Sequence, residues 1–346
     1  MADAPLEIWS KKPSFLSYKG DEHLELDGHV ILPDDVKGEL ENIHLPRDED
    51  VACLSSLQVN NLAQNSEYRI AFKISPFSWH LGLNKARKEI NQHIADKYPN
   101  RHEIGLDAGI MPCGIMGITL TRDGKFLLGE RNPKATHTVG NYCLAPAGFL
   151  GFDKPGAKND KIISETFNRE FFEEVLYGPD LFDKAPDEED QRRINSLVNS
   201  YSVQGQLPAD GLSPKIVGLT YEDKNNRGFG IPIIFKTSFT SAGLDEYLKM
   251  KKPDVEHKGY LLREFSPGSI EDLVRKQGRG LEIHSLGALL CAGANEFDNG
   301  DEWYKKMTEE VVPQNYGRIL TLPEKTFSGK RNVVEIIKET ALQRYA

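Results

Sequence analysis

The chain has 346 residues, of which 39% are hydrophobic and 27% charged, and it carries a net charge of −9. That length exceeds one ordinary domain and predicts two, and the composition is that of a globular protein. The acidic balance argues against a general nucleic-acid binder, which is usually basic. It leaves room for a nucleotide ligand whose charge is met locally by a metal ion or a few Arg and Lys side chains. Cys53, Cys113, Cys143 and Cys291 lie far apart with no C-x-x-C, which predicts neither a zinc site nor a disulfide framework. No stretch reaches transmembrane length and the N-terminus lacks the regions of a signal peptide. The expectation is a cytoplasmic protein with reduced thiols and neither a membrane nor a nucleic-acid polymer as partner.

Residues 1–107 alternate polar turns with short apolar runs such as Gly28 to Leu32 and Tyr68 to Phe72. A helix is predicted from about Lys85 to Lys97, with Ala86, Ile90 and Ile94 on one face. This region reads as a small α+β domain, serving as scaffold or as a contact in a homodimer. The alternative is a lid over a substrate, with Trp79 and His80 as its residues to watch, although an aromatic beside a proline is more often core.

A second domain is expected over residues 108–346. Gly114 to Thr121 reads as an apolar strand, Asp123-Gly124 as a hairpin turn and Lys125 to Glu130 as the return strand, ending at Arg131. The following loop contains Lys134, His137 and Thr138, which suit a phosphate or sugar but equally an exposed polar loop. An apolar segment from Tyr142 then reaches a turn at Gly148.

After a Gly-, Pro- and Lys-rich loop, Asn159 or Asp160 is placed to cap a helix running to about Tyr177, stopped by Gly178-Pro179. Within it, Arg169-Glu170-Phe171-Phe172-Glu173-Glu174-Val175 is the stretch with chemistry. Glu170, Glu173 and Glu174 stand at i, i+3 and i+4 and share one helix face, while Phe171, Phe172 and Val175 fall opposite. Three like charges on one face repel unless something cancels them, and the single cation of Arg169 is not enough. A hard divalent cation, Mg2+ or Mn2+, would be. A solvated acidic face is the plain alternative.

Residues 180–213 read as an insertion. Strands follow at Lys215 to Tyr221 and Gly230 to Phe239, joined by a charged hairpin loop. A polar loop containing Glu256 precedes a strand from Lys258 to Phe265. Helices are predicted at Ser269 to Lys276, at His284 to Ala292, where Gly287-Ala288 allows close packing, and at Asn332 to Arg344.

Strand, Gly148 turn and a helix carrying R-E-x-x-E-E together resemble the Nudix hydrolase superfamily. The loop from Gly148 to Arg169 is longer than the family pattern, and Lys161 stands where the family has its first glutamate. The resemblance implies an α/β/α sandwich with a mixed sheet behind the α+β domain, and a Mg2+-dependent (or Mn2+-dependent) hydrolase of nucleoside diphosphate-linked compounds. It makes Glu170, Glu173 and Glu174 metal ligands. Glu173, Glu174 or Glu256 is the catalytic base, and a surface charge is the other reading of Glu256. Arg131, His137 and Gly148 are the candidate substrate contacts. The layout is similar to a branch acting on UDP-glucose and UDP-galactose; ADP-ribose is the runner-up substrate. A nucleotide-binding module that does not hydrolyse is the alternative of another class, favoured by Lys161.

Overall fold

The computed structural model describes residues 6–11, 24–43, 50–62, 65–84, 88–132, 142–152, 162–171, 174–175, 215–223, 228–237, 239–250, 257–277, 280–322, 326 and 329–344. The chain opens with β1 (Leu6–Ser10), β2 (Leu24–His29), α1 (Asp34–Glu41), β3 (Asp50–Leu62), β4 (Asn65–Pro76), α2 (Phe77–Leu83), α3 (Lys88–Lys97) and α4 (Arg101–Ala108). Then come β5 (Cys113–Leu120), β6 (Lys125–Arg131), β7 (Tyr142–Leu144), β8 (Ala147–Phe149), β9 (Gly151–Phe152) and α5 (Ile162–Glu170). The remainder supplies β10 (Lys215–Ile216), β11 (Leu219–Glu222), β12 (Gly228–Lys236), α6 (Ser241–Met250), β13 (His257–Glu264), α7 (Pro267–Gln277) and α8 (Ile283–Glu296). It closes with α9 (Gly300–Lys306), α10 (Pro313–Tyr316), β14 (Ile319–Thr321), β15 (Gly329–Asn332) and α11 (Val333–Arg344). Among the described residues no helix is long and apolar enough to cross a membrane.

Two sheets organise these elements. The larger has the order β13-β6-β5-β12-β11-β1-β14, with β7, β8 and β10 attached at its sides. It is mixed: β5 runs parallel to β12 and antiparallel to β6 and β8. The hairpin expected at Asp123-Gly124 is there, with Gly124 at φ +79°, a left-handed conformation that glycine adopts without steric cost. On one face α7 and α8 cover Ile118, Leu128 and Ile234; on the other, Phe167 and Phe171 of the helix that carries R-E-x-x-E-E, the box helix, meet Ile115, Ile231 and Phe235. The expected mixed α/β architecture is therefore present. Gly287 lets α8 lie close on the sheet, because a Cβ there would stand 2.8 Å from Thr220 Cγ2.

The smaller sheet has the order β15-β3-β4-β2, with β9 paired to β3. One of its faces packs on α1, α2 and α3 through Val36, Leu40, Trp79, Leu83 and Ile94. Trp79 and His80 are buried in that layer, so neither is exposed to serve as a lid. The other face, with Leu54, Ile70 and Phe72, joins the same core as Ile115 and Phe171 of the larger sheet.

The division expected at residue 107 is crossed at both ends of the chain. β1 lies between β11 and β14 in the larger sheet, antiparallel to the first and parallel to the second. Conversely β15 pairs with β3 in the smaller sheet, and Val333, Ile336 and Ile337 of α11 enter the shared core. The physical reason is burial. All five residues of β1 are buried, and Leu6 and Ile8 face one core while Trp9 faces the other. Such a segment is stable only inside a sheet covered on both faces.

Candidate active site

The turn expected at Gly148 comes just before it, where the chain bends at Ala145-Pro146; Gly148 itself lies in β8, paired antiparallel to β5 with Gly114 opposite Phe149, Ile115 opposite Gly148 and Met116 opposite Ala147. The approach to it is pinned at several points. Ser285 Oγ accepts from the Leu144 N–H at 2.9 Å and donates to Glu282 at 2.8 Å, while Thr119 Oγ1 donates to Ala145 O at 2.7 Å. The Ala145-Pro146 peptide is cis, and Gly117 N donates to Pro146 O at 2.7 Å. Gly117 has no side chain because a Cβ there would lie 2.6 Å from the proline ring. Beyond Gly148, the Ala52 N–H binds Leu150 O at 2.8 Å and β9 pairs with β3, so the smaller sheet grips the strand as it leaves the turn.

The box helix lays its carboxylates on this strand. Glu174 is 5% exposed, and its Oε2 accepts the Ala147 N–H at 2.8 Å. The Glu170 carboxylate rests against Gly148 so closely that a Cβ there would come within 2.1 Å of Oε1. Arg169 Nη2 donates to Glu170 Oε1 at 3.0 Å and to Phe149 O at 3.4 Å. The arginine therefore ties the Glu170 carboxylate to β8, as a structural partner.

The opposite face behaves as the periodicity implies. Phe171 and Val175 are buried, and the rings of Phe167 and Phe171 meet Phe235 at 5.6 and 4.7 Å. One feature departs from a regular helix: Phe171, Glu174 and Val175 have π-helical geometry, a rare form that recurs at functional sites.

A polar group that spacing does not predict adjoins the box. Tyr260 on β13 donates its hydroxyl to the main-chain carbonyl of Glu174 at 2.6 Å. Its ring lies 5.4 Å from that of His257, and His257 Nε2 is 3.2 Å from Cys143 Sγ. The signal available in the sequence is a tyrosine in an alternating strand, whose hydroxyl seeks a partner when half-buried. Its partner stands 86 residues away, out of reach of any local pattern.

Of the remaining candidates, Arg131 is half-buried at the end of β6, in register with His257. His137, Glu173 and Glu256 lie outside the described residues. The structure thus brings together Glu170, Glu174 and Gly148, with Arg169. Among the described residues no group of three or more His, Cys, Asp or Glu side chains is placed to hold a metal ion; Glu170 and Glu174 are the two box carboxylates it contains. The four cysteines are free and buried, and desolvation pushes the thiols of Cys53 and Cys291 up to about 12.

No protein-family model matches the chain, and no curated protein matches it. Among solved structures, it is similar to the MutT protein from Methanosarcina mazei at 15% identity, over 58% of this chain and 96% of that one, with a TM-score of 0.30. It is also similar to DR0079 from Deinococcus radiodurans at 10% identity, over 51% of this chain and 80% of that one, with a TM-score of 0.31.

Proposed function

We propose that the chain is a divalent-metal-dependent hydrolase of the Nudix type. It cleaves the diphosphate bridge of a nucleoside diphosphate-sugar, such as UDP-glucose or UDP-galactose, and acts in the cytoplasm. The observation that carries this reading is the placement of Glu170 and Glu174 on the Ala147-Gly148 backbone from one face of the box helix.

The donor set fits the cation. Two hard carboxylates converge on the Ala147-Gly148 segment of β8, and helical spacing assigns Glu173 to the same face. Mg2+ or Mn2+ held there supplies charge neutralisation for the diphosphate and a more acidic water. The chain's own residues do the rest. Ala147 orients Glu174, and Arg169 orients Glu170 while holding β8 through Phe149 O. Gly148, lacking a side chain, leaves the space beside β8 to the Glu170 carboxylate. Glu173, Glu174 or Glu256 takes the proton as water attacks phosphorus. The P–O bond of the bridge breaks, and the products are a nucleoside monophosphate and a sugar 1-phosphate. Arg131 and His137 are assigned to the substrate's anionic or sugar part.

A second reading, a nucleotide-binding module without turnover, is favoured by Lys161 at the family's first glutamate position. The deciding experiment is a hydrolysis panel of nucleoside diphosphate-sugars, ADP-ribose and dinucleotides with Mg2+ and Mn2+, run beside Glu170→Gln. Metal-stimulated turnover of one group, lost in the variant, is expected. Nucleotide binding with no turnover would transfer support to the second reading, and full activity in Glu170→Gln would sink the site.

A further inference from the structure

We infer that Tyr260 is a positioning residue for the carboxylate face of the box helix, acting on the cation site through the main chain of Glu174. The inference rests on the reading of Glu170 and Glu174 as metal-holding carboxylates. Glu174 is fixed twice: its side chain by the Ala147 N–H at 2.8 Å and its carbonyl by the Tyr260 hydroxyl at 2.6 Å. The two contacts come from different strands, β8 and β13, so together they set both the position and the rotation of this residue.

The second contact falls at an irregular point of the helix. The π-helical geometry at Phe171, Glu174 and Val175 departs from the regular i→i−4 ladder. There the Glu174 carbonyl takes a donor from β13, the Tyr260 hydroxyl, and losing that donor would cost free energy. Tyr260 thus holds the main chain of Glu174 where its carboxylate meets Ala147.

The donor is itself braced. Tyr260 faces Gly129 across β13 and β6, and Gly129 has no side chain because His257 fills that space, 2.2 Å from where a Cβ would be. His257 is 1% exposed, contacts Cys143 Sγ and stacks at a tilt on the tyrosine ring. The ring's orientation is therefore set before the hydroxyl meets Glu174. Groups that orient metal-binding side chains from behind commonly change metal affinity by about 10–100-fold when removed.

The test is Mn2+ binding, read by electron paramagnetic resonance on the full chain, for wild type, Tyr260→Phe and Glu170→Gln, beside thermal melting. Tyr260→Phe keeps the ring and removes only the donor. It is expected to weaken Mn2+ binding by about 10-fold or more while KM for the substrate at saturating metal stays unchanged. Unchanged Mn2+ affinity in Tyr260→Phe, with or without a lower melting temperature, overturns the inference and leaves the carboxylate site standing. Absence of Mn2+ binding in wild type, or equal binding in Glu170→Gln, removes the carboxylate reading and this inference with it. Should Tyr260→Phe not fold, His257→Leu carries the same test: it keeps the hydroxyl and the carboxylates but removes the brace that aims the ring, so weaker Mn2+ binding is expected and unchanged affinity overturns the inference.

Discussion

The Glu170 carboxylate occupies the space that a side chain on residue 148 would need, since a Cβ built on Gly148 would stand 2.1 Å from Glu170 Oε1. The obstructing atom is the end of a flexible side chain, so Gly148→Ala moves the carboxylate rather than the backbone. Glu170 then leaves both β8 and its 3.0 Å contact with Arg169. Misplacing a reacting or orienting group by about 1 Å costs on the order of 100-fold in rate. Gly148→Ala is expected to lose about that much activity and Mn2+ affinity with only a small change in melting temperature. A large drop in melting temperature with metal affinity retained would show that the glycine serves the strand alone.

Glu174 allows charge and shape to be separated. Its Oε2 accepts a hydrogen bond from Ala147, and the amide oxygen of a glutamine can accept the same bond. Glu174→Gln therefore keeps the local fold and removes one negative charge. The expected outcome is a native circular dichroism spectrum with turnover reduced by more than the roughly 10–100-fold typical of groups behind the ligands. Turnover near wild type would exclude Glu174 from the metal and base roles.

Local pattern carried much of this site, and long-range pairing carried the rest. Glu170 and Glu174 on one face with Phe171 and Val175 on the other follows from helical period alone, and the structure has it. So does the Asp123-Gly124 hairpin, because only adjacent strands are involved. The pairing of β1 with β11 and β14 joins Leu6 to Glu222 and Ile319. No periodicity in a five-residue strand states which distant edge it will fill. Leu-Glu-Ile-Trp-Ser also hides its burial, because Glu7 reads as a surface charge yet is buried and accepts from Trp9 Nε1 at 2.8 Å. Tyr260 is hidden for a related reason: its partner, the Glu174 carbonyl, stands 86 residues away, and no local spacing states that pairing.

The position of β1 predicts the fate of a truncated chain. Deleting residues 1–105 removes the strand between β11 and β14 and the apolar face formed by Leu54, Ile70 and Phe72. Leu6, Ile8 and Trp9 alone, at about 1.5–3 kcal/mol for each buried side chain, approach the roughly 5–15 kcal/mol that stabilises a whole domain. The fragment 106–346 is expected to aggregate on expression, and a chain lacking only residues 1–11 to melt far below the full chain. A soluble 106–346 fragment with a cooperative transition would show that the larger sheet closes without β1.

Asp123 links the hairpin turn to α6 and gives stability a defined acid limb. Its carboxylate accepts from the Ser241 N–H at 2.7 Å and from the Ser241 hydroxyl at 2.6 Å. These bonds, the side-chain bond to Ser241 foremost and one from Thr121 next, hold its pKa well below the ordinary value of 3.8. They favour the charged form, whereas desolvation opposes it. The unfolded chain therefore takes up a proton on this group at higher pH than the folded chain does. The stability that Asp123 contributes is complete above about pH 4, declines as pH falls below that, and is gone once the folded-state group is protonated. Because the side chain is exposed at the turn, salt and solvent keep the effect modest. Chemical denaturation between pH 7 and pH 2 should show this fall in wild type and a shallower one in Asp123→Asn, which cannot titrate. Equal slopes in the two proteins would mean that other carboxylates set the acid limb.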